Sequence, residues 1–176
     1  MSVLRPAPKA KLIMSLFSQQ DALIGKALES LCRRFGPTDF IGPLMPFDYT
    51  RYYESEFGPG LVRRFVSFQR LVEQDCLVEV KIFACQIEQE LGHQGKRRVN
   101  IDPGLITAER LVLATGKNFT HRIYLGKGIY ADLTLIYQKG RFRPLQWTYP
   151  DYASDESLIF WKKVRSFYLD QLKALR

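Results

Sequence analysis

Gly126-Lys127-Gly128-Ile129-Tyr130-Ala131-Asp132-Leu133-Thr134-Leu135-Ile136-Tyr137-Gln138-Lys139-Gly140 reads as one strand framed by two tight turns. Glycine supplies the positive φ that such hairpins need, and β-branched and aromatic residues fill the span between. Ile129, Ala131, Leu133, Leu135 and Tyr137 share one face at period two, and Tyr130, Asp132, Thr134 and Ile136 share the other. A strand turned tightly at both ends is the middle of an antiparallel meander. Leu111–Thr115 and His121–Leu125 lead into it, and Arg141–Thr148 leads out.

Upstream the order is strand, helix, strand, strand, helix. Lys11–Phe17 is a buried strand, and Asp21–Phe35 is a helix with Leu23, Ala27, Leu28 and Leu31 at helical spacing, stopped by Gly36-Pro37. Thr38–Phe47 is extended with a bend at Gly42-Pro43, and Leu61–Phe68 is a further strand. In the helix Asp75–Leu91, Leu77, Val80, Ala84, Ile87 and Leu91 form the apolar stripe, with Glu79, Glu88 and Glu90 outside it. Arg98–Ile101 or Leu111–Ala114 then completes a ferredoxin-like βαββαβ order. A last helix runs from Asp155 to Leu175, with Ser154 as its N-cap. The expected fold is α+β: a two-layer sandwich on a largely antiparallel sheet, with a ferredoxin-like βαββα start, a β-meander and a C-terminal helix. No repeat or linker divides residues 1–176, so one domain is expected.

The composition narrows the function classes without choosing among them. No apolar run approaches the roughly 20 residues of a membrane helix, and the basic-then-apolar N-terminus lacks a small-x-small cleavage site, so it reads as a leading strand. Three cysteines, Cys32, Cys76 and Cys85, have no metal-type spacing, and reduced thiols in a cytoplasm are expected. The net charge of +8 is uneven: residues 1–88 hold 11 Lys/Arg against 10 Asp/Glu, and residues 89–176 hold 15 against 8. A basic second half can steer an anionic partner, although a solvated basic face is the commoner explanation of a moderate excess.

Complete catalytic motifs are missing. Thr115-Gly116-Lys117-Asn118 falls short of a P-loop, because Leu111 stands at the first glycine position and Asn118 replaces the metal-binding hydroxyl. There is no G-x-S-x-G elbow, H-E-x-x-H pair, C-x-x-C pair or RNP1 pattern. A cysteine–histidine nucleophile is disfavoured by the helical placement of Cys32 and Cys85.

Candidate site residues lie at strand ends and turns. Asp102-Pro103-Gly104 is a turn signal, in which Asp102 caps the turn and Asn100 satisfies nearby backbone; the functional alternative makes both ligand-binding. His121-Arg122 could serve as proton carrier and bidentate phosphate donor, against the plainer reading of an Arg paired with Asp132 or Asp102. Two aromatic-polar segments, Pro46 to Tyr53 and Trp147 to Tyr152, could line a pocket in which rings stack on a base and carboxylates orient a sugar, amine or metal. Lys139, Arg141 and Arg143 alternate as on one strand face, with Lys96-Arg97-Arg98 and Lys162-Lys163-Arg165 as further basic clusters.

Taken in order, these segments resemble one family. They are Pro46-Phe47-Asp48-Tyr49-Thr50 with Tyr52-Tyr53, Arg98 to Gly104, Leu113-Ala114-Thr115, His121 to Leu125, Gly128 to Ala131, and Trp147 to Tyr152. The family is the bacterial "domain of unknown function 4416". Gly116 and Leu105 depart from residues common in that family. The resemblance implies a bacterial cytosolic protein and no established activity. Family members have been labelled GTP-binding, a label that the failed P-loop and the lack of an N-K-x-D motif do not support here.

Two functions of different class remain. In the first, a phosphate-bearing ligand (a nucleotide or an RNA end) is bound or processed in a cleft formed by Asp48, Arg98, Asn100, Asp102, His121, Arg122, Asp132 and Asp151. His121, Asp102 and Arg122 would be catalytic there, and the carboxylates could hold Mg2+ or a hydroxyl. In the second, the basic C-terminal half is a non-catalytic surface for nucleic acid or a protein. The oligomeric state is open in both.

Overall fold

A computed structural model describes residues 3–49 and 53–175. Among these residues, nine strands form one open sheet: β1 (Ala10–Ser18), β2 (Thr38–Ile41), β3 (Met45–Pro46), β4 (Val62–Val72), β5 (Val99–Ile106), β6 (Arg110–Thr115), β7 (Arg122–Gly126), β8 (Ile129–Gln138) and β9 (Arg141–Pro144). The helices are α1 (Asp21–Phe35), α2 (Glu54–Phe57), α3 (Leu77–Glu90), α4 (Pro150–Ala153) and α5 (Asp155–Ala174). The sheet order is β2-β4-β1-β5-β6-β8-β7, with β3 on β4 and β9 on β8, and every pairing is antiparallel. The order β2-β4-β1-β5 is the ferredoxin-like one, and the remaining strands extend that core on the β5 side. They do not follow the expected meander order: β6 pairs with β8, and β7 and β9 both lie on the other edge of β8.

The expected two layers gain a third. β1 is buried along its whole length, so it must be covered on both faces. Leu12, Met14 and Leu16 pack with Val66, Phe68 and Ile101 under α1 and α3. Ile13 and Phe65 pack on the other face with Leu111, Leu113 and Leu135 under Phe160, Trp161 and Val164 of α5. Lys11, fully buried, secures that helix: its ammonium contacts Asp39 and donates to Gln171 Oε1 at 2.6 Å. Burial holds its pKa below the ordinary lysine value, and Asp39 offsets part of the shift.

Three local readings change. Asp102-Pro103-Gly104 is no turn but the middle of β5, so Asp102 caps nothing. The β5–β6 ladder begins at Gly104, so Pro103 stands just beyond it, where a missing N–H is tolerated. On β8 a bulge shifts the register between Leu111↔Leu135 and Val112↔Leu133. That extra residue breaks the period-two alternation, and Leu135 joins the face of Asp132. The last strand stops at Pro144 instead of reaching Thr148. Trp147 Nε1 and Thr148 Oγ1 replace the ladder by donating to Leu133 O and Thr134 O, at 2.8 Å and 2.5 Å. The hairpin turns stand as expected, with positive φ at Lys127 (51°) and Lys139 (49°) and at the adjoining glycines.

Candidate functional site

Residues opposed in an antiparallel ladder point to the same face, so the register alone assembles the site. Arg63, Phe17 and Asn100 form one row across β4, β1 and β5. Phe65, Ser15 and Asp102 form the next. Gly104, Leu113, Asp132 and Arg122 form a third across β5, β6, β8 and β7. All lie on the α5 face, towards the C-terminal end of β1, where Phe17, Phe47, Phe57 and Leu61 form a small aromatic core beside Tyr53.

Arg63 is the buried cation of the first cluster. Its side chain is 5% exposed and pairs with Asp151, whose side chain is 8% exposed. Its guanidinium lies 3.8 Å from the Phe47 ring centroid. Burial pulls the pKa of Arg63 below the ordinary arginine value. Ser15 Oγ lies beside the Tyr152 hydroxyl, and neither completes a regular hydrogen bond among the described residues. Burial raises the pKa of Tyr152, and burial with Asp102 pushes Tyr53 up to about 12, so both phenols stay protonated near neutrality.

A second network surrounds Asp102. Arg97 is held bidentately by Glu56 at 2.7 Å through each of Nε and Nη2, and its Nη1 donates to Asn100 Oδ1 at 2.7 Å. Asn100 Nδ2 donates in turn to Asp102 Oδ2 at 2.7 Å. The backbone of Ile101 finds its partners on α3: its N–H donates to Glu88 at 2.6 Å, and its carbonyl accepts from Lys81 Nζ at 2.8 Å. These two side chains substitute for the ladder that β6 has left. Burial lowers the pKa of Lys81, yet Asp102 and Glu88 outweigh it and the net shift is upward.

The third cluster is the His-Arg pair. Arg122 donates to Asp132 at 2.8 Å, to Lys117 O at 3.0 Å and to Tyr149 Oη at 2.9 Å. All three of its nitrogens are thus engaged within the protein, the plainer of the two sequence readings. Asp132, 4% exposed, also meets His121 Nε2 at 3.2 Å. The His121 ring stacks on Trp147, with centroids 4.7 Å apart. His121 is therefore oriented by a buried carboxylate, as a proton carrier would be, while Arg122 positions two loops.

The sequence candidates accordingly divide. Asn100 and Asp102 belong to one network, His121, Arg122 and Asp132 to a second, and Asp151 to the Arg63 pair. Asp48 is exposed, yet it lines the same cavity as Asp151. That cavity, about 440 Å³, is lined by Phe47, Asp48 and Tyr49 of the first aromatic-polar segment and by Asp151 of the second, with Ser154, Glu156 and Arg63 beside them, while Trp147, Tyr149 and Tyr152 do not line it. Thr50, Arg51 and Tyr52 of the first segment lie outside the described residues. Arg98 lines a separate cavity of about 220 Å³.

Several residues escaped the sequence reading. Arg63 had a signal: it sits two places before Phe65 on a buried strand, at an inward position. Glu88 lies outside the apolar stripe of α3, yet it is 4% exposed. Its spacing of seven from Lys81 marks a common helix face, and only the unpaired Ile101 backbone explains why that face is polar. Of the basic alternation, Lys139 sits in the turn at φ 49° while Arg141 and Arg143 are in β9, so the three do not share one strand face. Burial raises the pKa of Cys76 and Cys85, which keeps these thiols protonated and poorly nucleophilic. Among the described residues, no three His, Cys, Asp or Glu side chains are placed to share a metal ion, and no helix is long and apolar enough to cross a membrane.

The sequence profile of a domain of unknown function, DUF4416, matches residues 8–168, and the chain belongs to that family. No curated protein and no solved structure matches it.

Proposed function

We propose that this DUF4416 member binds a small ring-bearing ligand, rich in hydroxyl or amino groups, in the cavity between β3 and the start of α5. One observation carries the reading: two segments a hundred residues apart, Phe47-Asp48-Tyr49 and Asp151, meet around a cavity of about 440 Å³. That volume lies in the range of small-molecule sites, and the lining has their composition of apolar walls with a few polar groups. Tyr49, exposed, offers a ring face, Phe47 offers apolar lining, and Asp48, Glu156 and the Ser154 and Ser157 hydroxyls offer polar partners. A nucleoside or a sugar fits this chemistry.

A phosphate on that ligand is served less well here. Three carboxylates (Asp48, Asp151 and Glu156) line the cavity against one cation, and that cation, Arg63, is paired. Unphosphorylated ligands should therefore bind this cavity at least as well as phosphorylated ones. A cytoplasmic setting accords with three free, half-buried cysteines. A thermal-shift screen of paired nucleosides and nucleotides, sugars and sugar phosphates tests the reading, since a bound ligand raises stability by mass action. Stabilisation by an unphosphorylated member is expected. A screen in which none of them stabilises the protein contradicts it.

A further inference from the structure

The cations of this end of the sheet are not all neutralised. Arg63 pairs with Asp151, Lys81 with Asp102, Arg97 with Glu56, and Arg122 with Asp132. Lys96 and Arg98 have no carboxylate within ion-pair distance among the described residues, and both line the cavity of about 220 Å³. The charged lining is Lys96, Arg97 and Arg98 against Glu56, a balance of +2 with His93 neutral, opposite in sign to the larger cavity.

The local fold presents these groups firmly. His93 and Lys96 exchange both backbone hydrogen bonds at 3.0 Å, around Gln94 (φ 51°) and Gly95 (φ 75°). Positive φ at both central residues is the pattern of a type I′ turn, the tightest hairpin connection. It holds His93 and Lys96 opposite each other, and both line the cavity. Arg97, held bidentately by Glu56 and bonded to Asn100, forms a wall whose charge is already paired. Arg98 makes one neutral contact, Nη2 to Gln20 Oε1 at 3.2 Å, which aims the guanidinium and leaves its other donors open.

We propose that this cavity is a separate binding site for a phosphate group, held by Lys96 and Arg98 with the Gln19 and Gln20 amides beside them. A phosphate carries about −1.5 to −2 charges near neutrality, which matches two unpaired cations; a monocarboxylate would neutralise only one. A guanidinium fork with free donors is also the geometry that phosphate oxygens accept best. The site is independent of the ring-ligand reading of the larger cavity.

The test is 31P NMR titration of the full chain with inorganic phosphate and pyrophosphate, with acetate as competitor. Saturable binding is expected up to roughly 10 mM anion, the millimolar range of a two-contact site. It should be about tenfold weaker in Arg98→Gln and in Lys96→Gln, the cost of one charge-assisted hydrogen bond. It should be unchanged in Tyr49→Ala, which alters only the larger cavity, and poorly displaced by acetate. Three results would overturn the proposal: no saturable binding, binding indifferent to Lys96 and Arg98, or equal weakening by Arg33→Gln with Arg34→Gln, which would reveal only the general positive field.

Discussion

Removing Asp151 should unfold the site from its cationic side. In Asp151→Ala the guanidinium of Arg63 stays 5% exposed among Phe17, Phe47, Phe65 and Tyr152, with no carboxylate beside it. An uncompensated buried charge costs about 3–5 kcal/mol when its partner is deleted. At this chain length that corresponds to a fall in Tm of roughly 6–20 °C, at 2–4 °C per kcal/mol. The carbonyl of Asp151 accepts from Ser154 and Ser157 and survives the substitution, so the loss belongs to the ion pair and not to the start of α5. Urea unfolding of the wild type, Asp151→Ala, Arg63→Met and the double variant gives the coupling directly. The double variant should recover most of the stability, because an apolar replacement of a buried pair is often neutral. An Asp151→Ala loss below about 1 kcal/mol, or a double variant as unstable as the sum of the singles, would refute the reasoning.

Gly104→Ala should cost about 1–3 kcal/mol in the same assay, because its Cβ would stand 2.6 Å from Val112 O and 2.8 Å from Leu113 Cδ2, and backbone cannot step aside as a flexible side chain can. Arg122→Lys should lose about 1–2 kcal/mol and raise amide exchange across residues 116–121, since an ammonium cannot reach Asp132, Lys117 O and Tyr149 together; unchanged exchange there would deny Arg122 its positioning role. The hydrogen bond from Arg97 holds the Glu56 pKa below 4.5. Its contribution is thus present above pH 4.5 and is lost as pH falls through the lower, folded value. Both partners are about a third exposed, so solvent limits the effect to under about 1 kcal/mol. Glu56→Gln should flatten the acid limb of the stability profile by that amount while leaving its slope above pH 6 unchanged.

Much of the fold was legible because the local signals are strong. Asp21–Phe35 is a helix with the bounds its apolar spacing and Gly36-Pro37 predict. The glycine turns at 126–128 and 139–140 set the β7–β8 and β8–β9 hairpins, whereas the pairing of β6 with β8 across β7 carries no local signal. What the sequence concealed depends on distant partners. Asp102-Pro103-Gly104 carries turn residues, but β1 on one side and the side chains of α3 near Ile101 on the other hold it extended. The bulge of β8 appears only against β6, so no periodicity within the strand reveals it. Of the site, the two aromatic-polar segments were legible as pocket-lining candidates and Arg63 as an inward residue by its spacing from Phe65, while the pairing of Arg63 with Asp151 was not, because the two meet only in the folded chain. Arg122 was legible as chemistry and not as role: Lys117 O and Tyr149 Oη, which engage its two terminal nitrogens, come from separate loops.

The central claim is that the cavity beside Asp48, Tyr49 and Asp151 takes a small ring-bearing ligand. Its most direct test is the dissociation constant of the most stabilising nucleoside or sugar, measured calorimetrically for the wild type and for Tyr49→Ala with Asp48→Ala, two exposed positions whose loss spares the core. At least a tenfold weakening, about 1.4 kcal/mol, with unfolding unchanged, is the predicted result. An affinity that survives both substitutions would place the ligand elsewhere and contradict the account.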